Sequence, residues 1–99
     1  MSLITTVHNI HKEEMDENSI YIGRRRGAGG DGLGNPYKVG RDGIRSEVIT
    51  KYRRYFLARM RDDQDNFNEK IEKLRGKRLF CFCAPLPCHG DVIAEWLNQ

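Results

Sequence analysis

The spacing of apolar positions changes several times along this chain, and each change marks an element. From Leu3 to Ile10, Ile4, Val7 and Ile10 stand among threonines, which predicts a strand. His11 to Asn18 is polar and charged and reads as a link to a second strand, Ser19-Ile20-Tyr21-Ile22, closed by Gly23. Eight of the ten glycines then fall between Gly23 and Gly43, a density that rules out regular helix. Only Tyr37-Lys38-Val39 is expected to form a short strand within it.

Helical periodicity starts near Ser46, a good N-cap residue. Val48, Ile49, Tyr52, Tyr55, Phe56 and Met60 recur at helical spacing and predict one buried face. The polar run Asp62 to Asn66 interrupts that pattern. Phe67, Ile71 and Leu74 then resume it, and Gly76 is a suitable C-terminal stop. In Arg78-Leu79-Phe80-Cys81-Phe82-Cys83 both alternating faces are apolar, the signature of a central strand covered on both sides. A Pro-rich turn follows. Asp91 is then expected to cap a last helix whose stripe is Val92, Ile93, Trp96 and Leu97.

These elements predict a small single-domain α/β protein with a mixed sheet of three to four strands and three helices. Its segments are 3–23 (strands), 24–43 (Gly/Arg-rich loop), 46–75 (helices), 78–83 (central strand), 84–91 (Cys/His turn) and 91–98 (helix). A strand, then helices, then a central strand implies a crossover and a parallel pair. The strand around Tyr21 and the strand around Phe82 would then end on one edge of the sheet. That edge brings the glycine loop beside the Cys/His turn, where open α/β sheets bind ligands.

Composition sharpens the picture modestly. Ninety-nine residues fit one core, with 38% hydrophobic and 31% charged residues. No apolar run approaches the roughly 20 residues that cross a bilayer, and the first residues do not resemble a secretory signal. Three clustered cysteines, an odd number at short spacings, point to a reducing cytoplasm. The net charge of +3 is uneven: nine Lys/Arg face three acids between Ile20 and Arg54, leaving the remainder net acidic. That asymmetry suits an anionic partner and falls short of a dedicated DNA-binding arm.

The chemistry concentrates in Cys81-Phe82-Cys83-Ala84-Pro85-Leu86-Pro87-Cys88-His89-Gly90-Asp91. Cys81, Cys83, Cys88 and His89 together are a Zn²⁺ ligand set of familiar composition, although the C-x-C-x4-C-H spacing differs from paired zinc knuckles. A second reading is thiol chemistry. Cys88 lies beside the start of the last helix, which favours its thiolate, with His89 or Asp91 as acid–base partner. The plainer alternative makes the cysteines core residues and His89-Gly90-Asp91 a turn and cap.

Arg24, Arg25 and Arg26 open the glycine loop directly after a strand, and their forked donors suit phosphate. The loop matches neither common nucleotide-binding glycine pattern. Asn35-Pro36-Tyr37 reads as the turn that ends it, with Asn35 orienting loop or ligand. Lys51, Arg54 and Arg61 form a solvated stripe, and His8 and His11 receive no role.

Tyr21-Ile22-Gly23-Arg24, Gly34-Asn35-Pro36-Tyr37, Gly40-Arg41-Asp42-Gly43 and Cys81-Phe82-Cys83…Pro87-Cys88-His89-Gly90-Asp91 resemble domain-of-unknown-function family 4326, small proteins of bacteria and phages. The resemblance runs from about Val7 to Leu97. Leu33 and Phe82 stand where that family usually has tryptophans, and the Arg/Gly loop is longer. The resemblance implies the fold and the place of the site, and no established reaction. The leading expectation is a phosphate-bearing ligand, a nucleotide or a nucleic-acid end, held by Arg24, Arg25, Arg26 and Asn35 beside the Cys/His corner. The alternatives are a phage-type binder that sequesters a nucleotide or blocks a host protein, and a zinc-stabilised interaction domain.

Overall fold

In a computed structural model, residues 4–23, 33–84 and 86–99 are described. Strands β1 (Thr6–Asn9), β2 (Ser19–Tyr21) and β3 (Arg78–Cys81) form one sheet in the order β1-β3-β2. Both pairings are parallel, with Val7 and Ile20 flanking Leu79. The doubly apolar segment is the middle strand, as its pattern requires. It ends at Cys81, so Phe82 and Cys83 lie beyond it.

Side chains alternate across the sheet. Val7, Ile20, Leu79 and Cys81 face a core shared with Tyr52, Phe56, Phe67 and Ile93. That core is built by helices α1 (Arg45–Asp62), α2 (Phe67–Glu72) and α3 (His89–Leu97). On α1, Val48, Tyr52 and Phe56 are buried at spacings of four, which puts them in one line along the helix. Full burial of each such side chain stabilises the fold by about 1.5–3 kcal/mol.

The opposite face carries His8, Phe80, Arg78 and Tyr21. The two crossovers run in opposite lateral directions, β1 to β2 one way and β2 to β3 the other, so a common hand puts them on opposite faces. The helices take one face. The polar link between β1 and β2 takes the other: Glu13 and Asp16 ion-pair with Arg78 at 3.3 and 2.9 Å. His8 stacks on Phe80 with ring centroids 5.2 Å apart and bonds Glu13 through Nδ1. Phe80 is fully buried beneath this polar strap. His8, read as idle in the sequence, is therefore part of the cover of the sheet.

Local details differ from the sequence expectations for identifiable reasons. The N-cap of α1 is Ile44, and Ser46 sits within the first turn; Glu47 reaches back to accept the Ile44 N–H at 3.0 Å. A carboxylate three residues on can serve a cap whose own side chain is apolar. Gly43, just before, adopts φ +134°, a conformation disfavoured for other residues. Tyr37-Lys38-Val39 forms no strand. Its N–H groups turn inward, Tyr37 to Asn35 Oδ1 (2.9 Å) and Lys38 to Asp42 Oδ2 (2.8 Å). Among the described residues, no helix is long and apolar enough to cross a membrane.

Candidate functional site

All three strands point their carboxyl ends to the same edge, and a pocket of about 410 Å³ opens there. Gly23 lines it from the end of β2, Cys81, Phe82 and Cys83 from the end of β3, and Cys88 and His89 from the start of α3. Asn35 to Val39 and the first turns of α1 complete the wall. The described flanks of the glycine segment, Gly23 and the stretch from Asn35, therefore meet the Cys/His turn. Among the described residues, Lys38 and Arg45 line the pocket and no carboxylate does.

The turn after β3 is held by a residue the sequence did not single out. Asn9, at the end of β1, donates its amide to the carbonyls of Phe82 (3.1 Å) and Ala84 (2.8 Å) while its Oδ1 accepts the His11 N–H. A polar residue ending an apolar strand was the available signal. Arg45, also missed, donates to the Pro87 carbonyl at 3.1 Å and ties α1 to the same turn.

Helix α3 starts earlier than expected. Cys88 is its N-cap, and Asp91 sits at the third helical position, where Oδ2 accepts the Cys88 N–H at 2.9 Å. Asp91 is thus a capping carboxylate and is absent from the pocket lining. Gly90 lets α3 approach the sheet: a Cβ there would lie 2.8 Å from Ile22 Cδ1 and 3.3 Å from Val7 Cγ1.

His89 is buried, with its ring edge toward Tyr52 at 5.2 Å. Its Nε2 lies 2.8 Å from the Ile22 carbonyl, which can only accept, so Nε2 carries the proton. This bond ties α3 to the end of β2. Among the described residues, no group of three or more His, Cys, Asp or Glu side chains gathers as a metal site.

The sulfurs of Cys81 and Cys88 lie 3.3 Å apart, both buried and both reduced. Cys81 is lowered to about 6, first by the hydrogen bond from Cys88 and then by the N–H groups of Cys83 and Ala84. Cys88 is pushed upward by that same shared proton and by burial. The sequence placed a thiolate on Cys88 at the helix terminus; in the fold that sulfur shares its proton with Cys81. Cys83, expected to present its sulfur alongside Cys81 on a strand, lies past the strand end and turns its N–H onto Cys81 Sγ at 3.4 Å.

The family model "Domain of unknown function (DUF4326)" matches residues 6–99. The chain belongs to that family. It is also similar to an "Uncharacterized 12.4 kDa protein in nrdA-td intergenic region" of Enterobacteria phage T4, with 40% identity over 62 residues. The match covers 62% of this chain and 56% of that protein, so it spans little more than half the relative's length. No solved structure matches.

In this DUF4326 domain, Leu33 is buried against the core and its carbonyl accepts the Tyr52 hydroxyl at 3.3 Å. The position expected to carry an aromatic ring is thus a packing position here. Phe82 is half exposed, edge-on to Tyr21 at 5.6 Å and beside His11. Arg24, Arg25 and Arg26 lie outside the described residues.

Proposed function

We propose that this protein binds a phosphate-bearing small molecule of nucleotide size in the pocket at the carboxyl edge of its sheet. The observation that carries the reading is the character of the lining among the described residues: two cationic side chains, Lys38 and Arg45, no carboxylate, and an apolar wall of Val48, Ile49 and Tyr37. A volume of about 410 Å³ lies within the range of small-ligand pockets. Lys38 and Arg45 hold the phosphate, the apolar wall takes the base, and Asn35 orients the loop through its bond to Tyr37. Arg24, Arg25 and Arg26 follow Gly23 directly in the chain and add charge for a phosphate or a nucleic-acid end.

Binding without turnover is the favoured form. Asp91 is engaged as a cap and His89 as a tie to Ile22, which leaves the expected acid–base pair in structural roles. The protein works in a reducing cytoplasm, where its three thiols remain free. The ligand therefore leaves chemically unchanged.

The test is calorimetric titration of the full chain with nucleoside mono-, di- and triphosphates, using inorganic phosphate as the minimal probe. Combined Lys38→Ala and Arg45→Ala substitution is expected to weaken binding at least about tenfold, the loss of one or two charge-assisted contacts. Chromatography of the recovered nucleotide should return it intact. Absence of heat with every nucleotide, or affinity indifferent to both substitutions, sinks the reading.

A further inference from the structure

The floor of the pocket holds a feature that ligand binding leaves unused. Cys81 ends the central strand, Cys88 caps α3, and their sulfurs are 3.3 Å apart. A disulfide needs about 2.05 Å, so the pair must close by about 1.3 Å. The chain is already held back between them, with the Leu86 N–H on the Cys83 carbonyl at 2.8 Å and Asn9 holding both Phe82 and Ala84. The geometry is that of a dithiol poised to bond.

We infer that Cys81 and Cys88 form a redox-active pair that a small hydroperoxide converts into an intramolecular disulfide. The size of the oxidant follows from burial. Cys81 is 2% and Cys88 3% exposed, yet both line the open pocket. A hydrogen peroxide molecule reaches such sulfurs, whereas a peptide-sized disulfide does not. Cys81 is the attacking sulfur because the Cys83 N–H points at it from 3.4 Å and supports negative charge there.

The chemistry balances in two steps. The Cys81 thiolate attacks one peroxide oxygen and the O–O bond breaks. The leaving hydroxide takes a proton and departs as water, so Cys81 becomes a sulfenic acid. Cys88 then gives up its proton, attacks the Cys81 sulfur and expels that hydroxyl as a second water. Two thiols and one peroxide yield one disulfide and two waters. The new bond would staple the end of β3 to the start of α3 and set the shape of the pocket floor. The inference stands apart from the nucleotide reading, since it uses neither Lys38 nor Arg45.

The experiment treats the reduced full chain with a slight excess of hydrogen peroxide and follows intact mass. A species lighter by two hydrogens is expected, with the bond mapped to Cys81 and Cys88 and reversed by dithiothreitol. Cys83→Ser should form it equally well. Cys88→Ser should instead stop at a Cys81 sulfenic acid that dimedone traps. If Cys88→Ser does not fold, the peptide map of the wild-type and Cys83→Ser proteins decides alone. Three results overturn the inference: thiols that stay reduced, a bond that includes Cys83, or thiols protected until a chelator is added, which would make them metal ligands.

Discussion

The side-chain amide of Asn9 lies 2.8 Å from the carbonyl of Ala84, seventy-five residues away in the chain. With its second bond to Phe82 it fixes where β3 ends and where the cysteine turn begins. Asn9→Ala leaves two carbonyls without that donor and is expected to destabilise the protein by about 1–3 kcal/mol. Asn9→Asp should be worse, because it points negative charge at both carbonyls. Denaturant midpoints check the ranking, and faster alkylation of Cys83 should report the loosened turn.

Gly90 is a packing residue. Gly90→Ala gains about 1 kcal/mol of helix propensity at most. Its methyl group, however, would stand 2.8 Å from Ile22 Cδ1 and 3.4 Å from Cys88 Sγ. A net loss of about 1–3 kcal/mol is expected from overpacking. Ile22→Val removes the nearest atom and should recover part of it, so the double variant measured by thermal unfolding tests the contact itself.

The paired thiols predict a stability profile with a defined sign. Between about 6 and 9.0 the unfolded chain keeps a proton that folded Cys81 has lost, so stability rises with pH across that window. Above 9.0 the unfolded chain ionises Cys88 as well while the folded state holds it protonated, and stability falls. Thiolate absorbance near the lower limit should show one titrating sulfur that vanishes in Cys81→Ser. Cys88→Ala removes the strongest donor and should move that midpoint upward.

The strap over Phe80 depends on carboxylates. Glu13 is held below the usual range first by its bond to His8 and Asp16 first by Ser19, with Arg78 assisting both. Depressed carboxyls contribute above their ordinary values and lose that contribution as pH falls through the folded-state values. Amide protection factors in residues 10–18, with the intrinsic pH dependence divided out, should therefore fall in acid. Arg78→Ala should produce the same local loosening at neutral pH, and unchanged exchange there would show that the strap is held by something else.

Much of the architecture was legible because burial writes a period into a chain. Leu79, Phe80 and Cys81, apolar on both faces, identify a middle strand, and the Val48/Tyr52/Phe56 line identifies the inner face of α1. Caps were read less well. Ser46 and Asp91 have the right chemistry for an N-cap, but Glu47 and Asp91 each serve from the third helical position. One residue type thus fits two places a turn apart, and only the backbone chooses between them.

By itself the sequence determined the element types, the central place of β3 and the shared edge where the glycine segment meets the Cys/His turn. These follow from periodicity and from the connectivity of parallel strands. Tertiary structure alone decided that the Cys81 and Cys88 sulfurs meet, that Asn9 and Arg45 hold the turn, and that His89 ties α3 to Ile22. Each of those depends on a distance through space between residues seven to seventy-five positions apart. Hydrogen bonds and shared protons act over a few ångströms, a scale on which chain spacing carries no information until the fold is made.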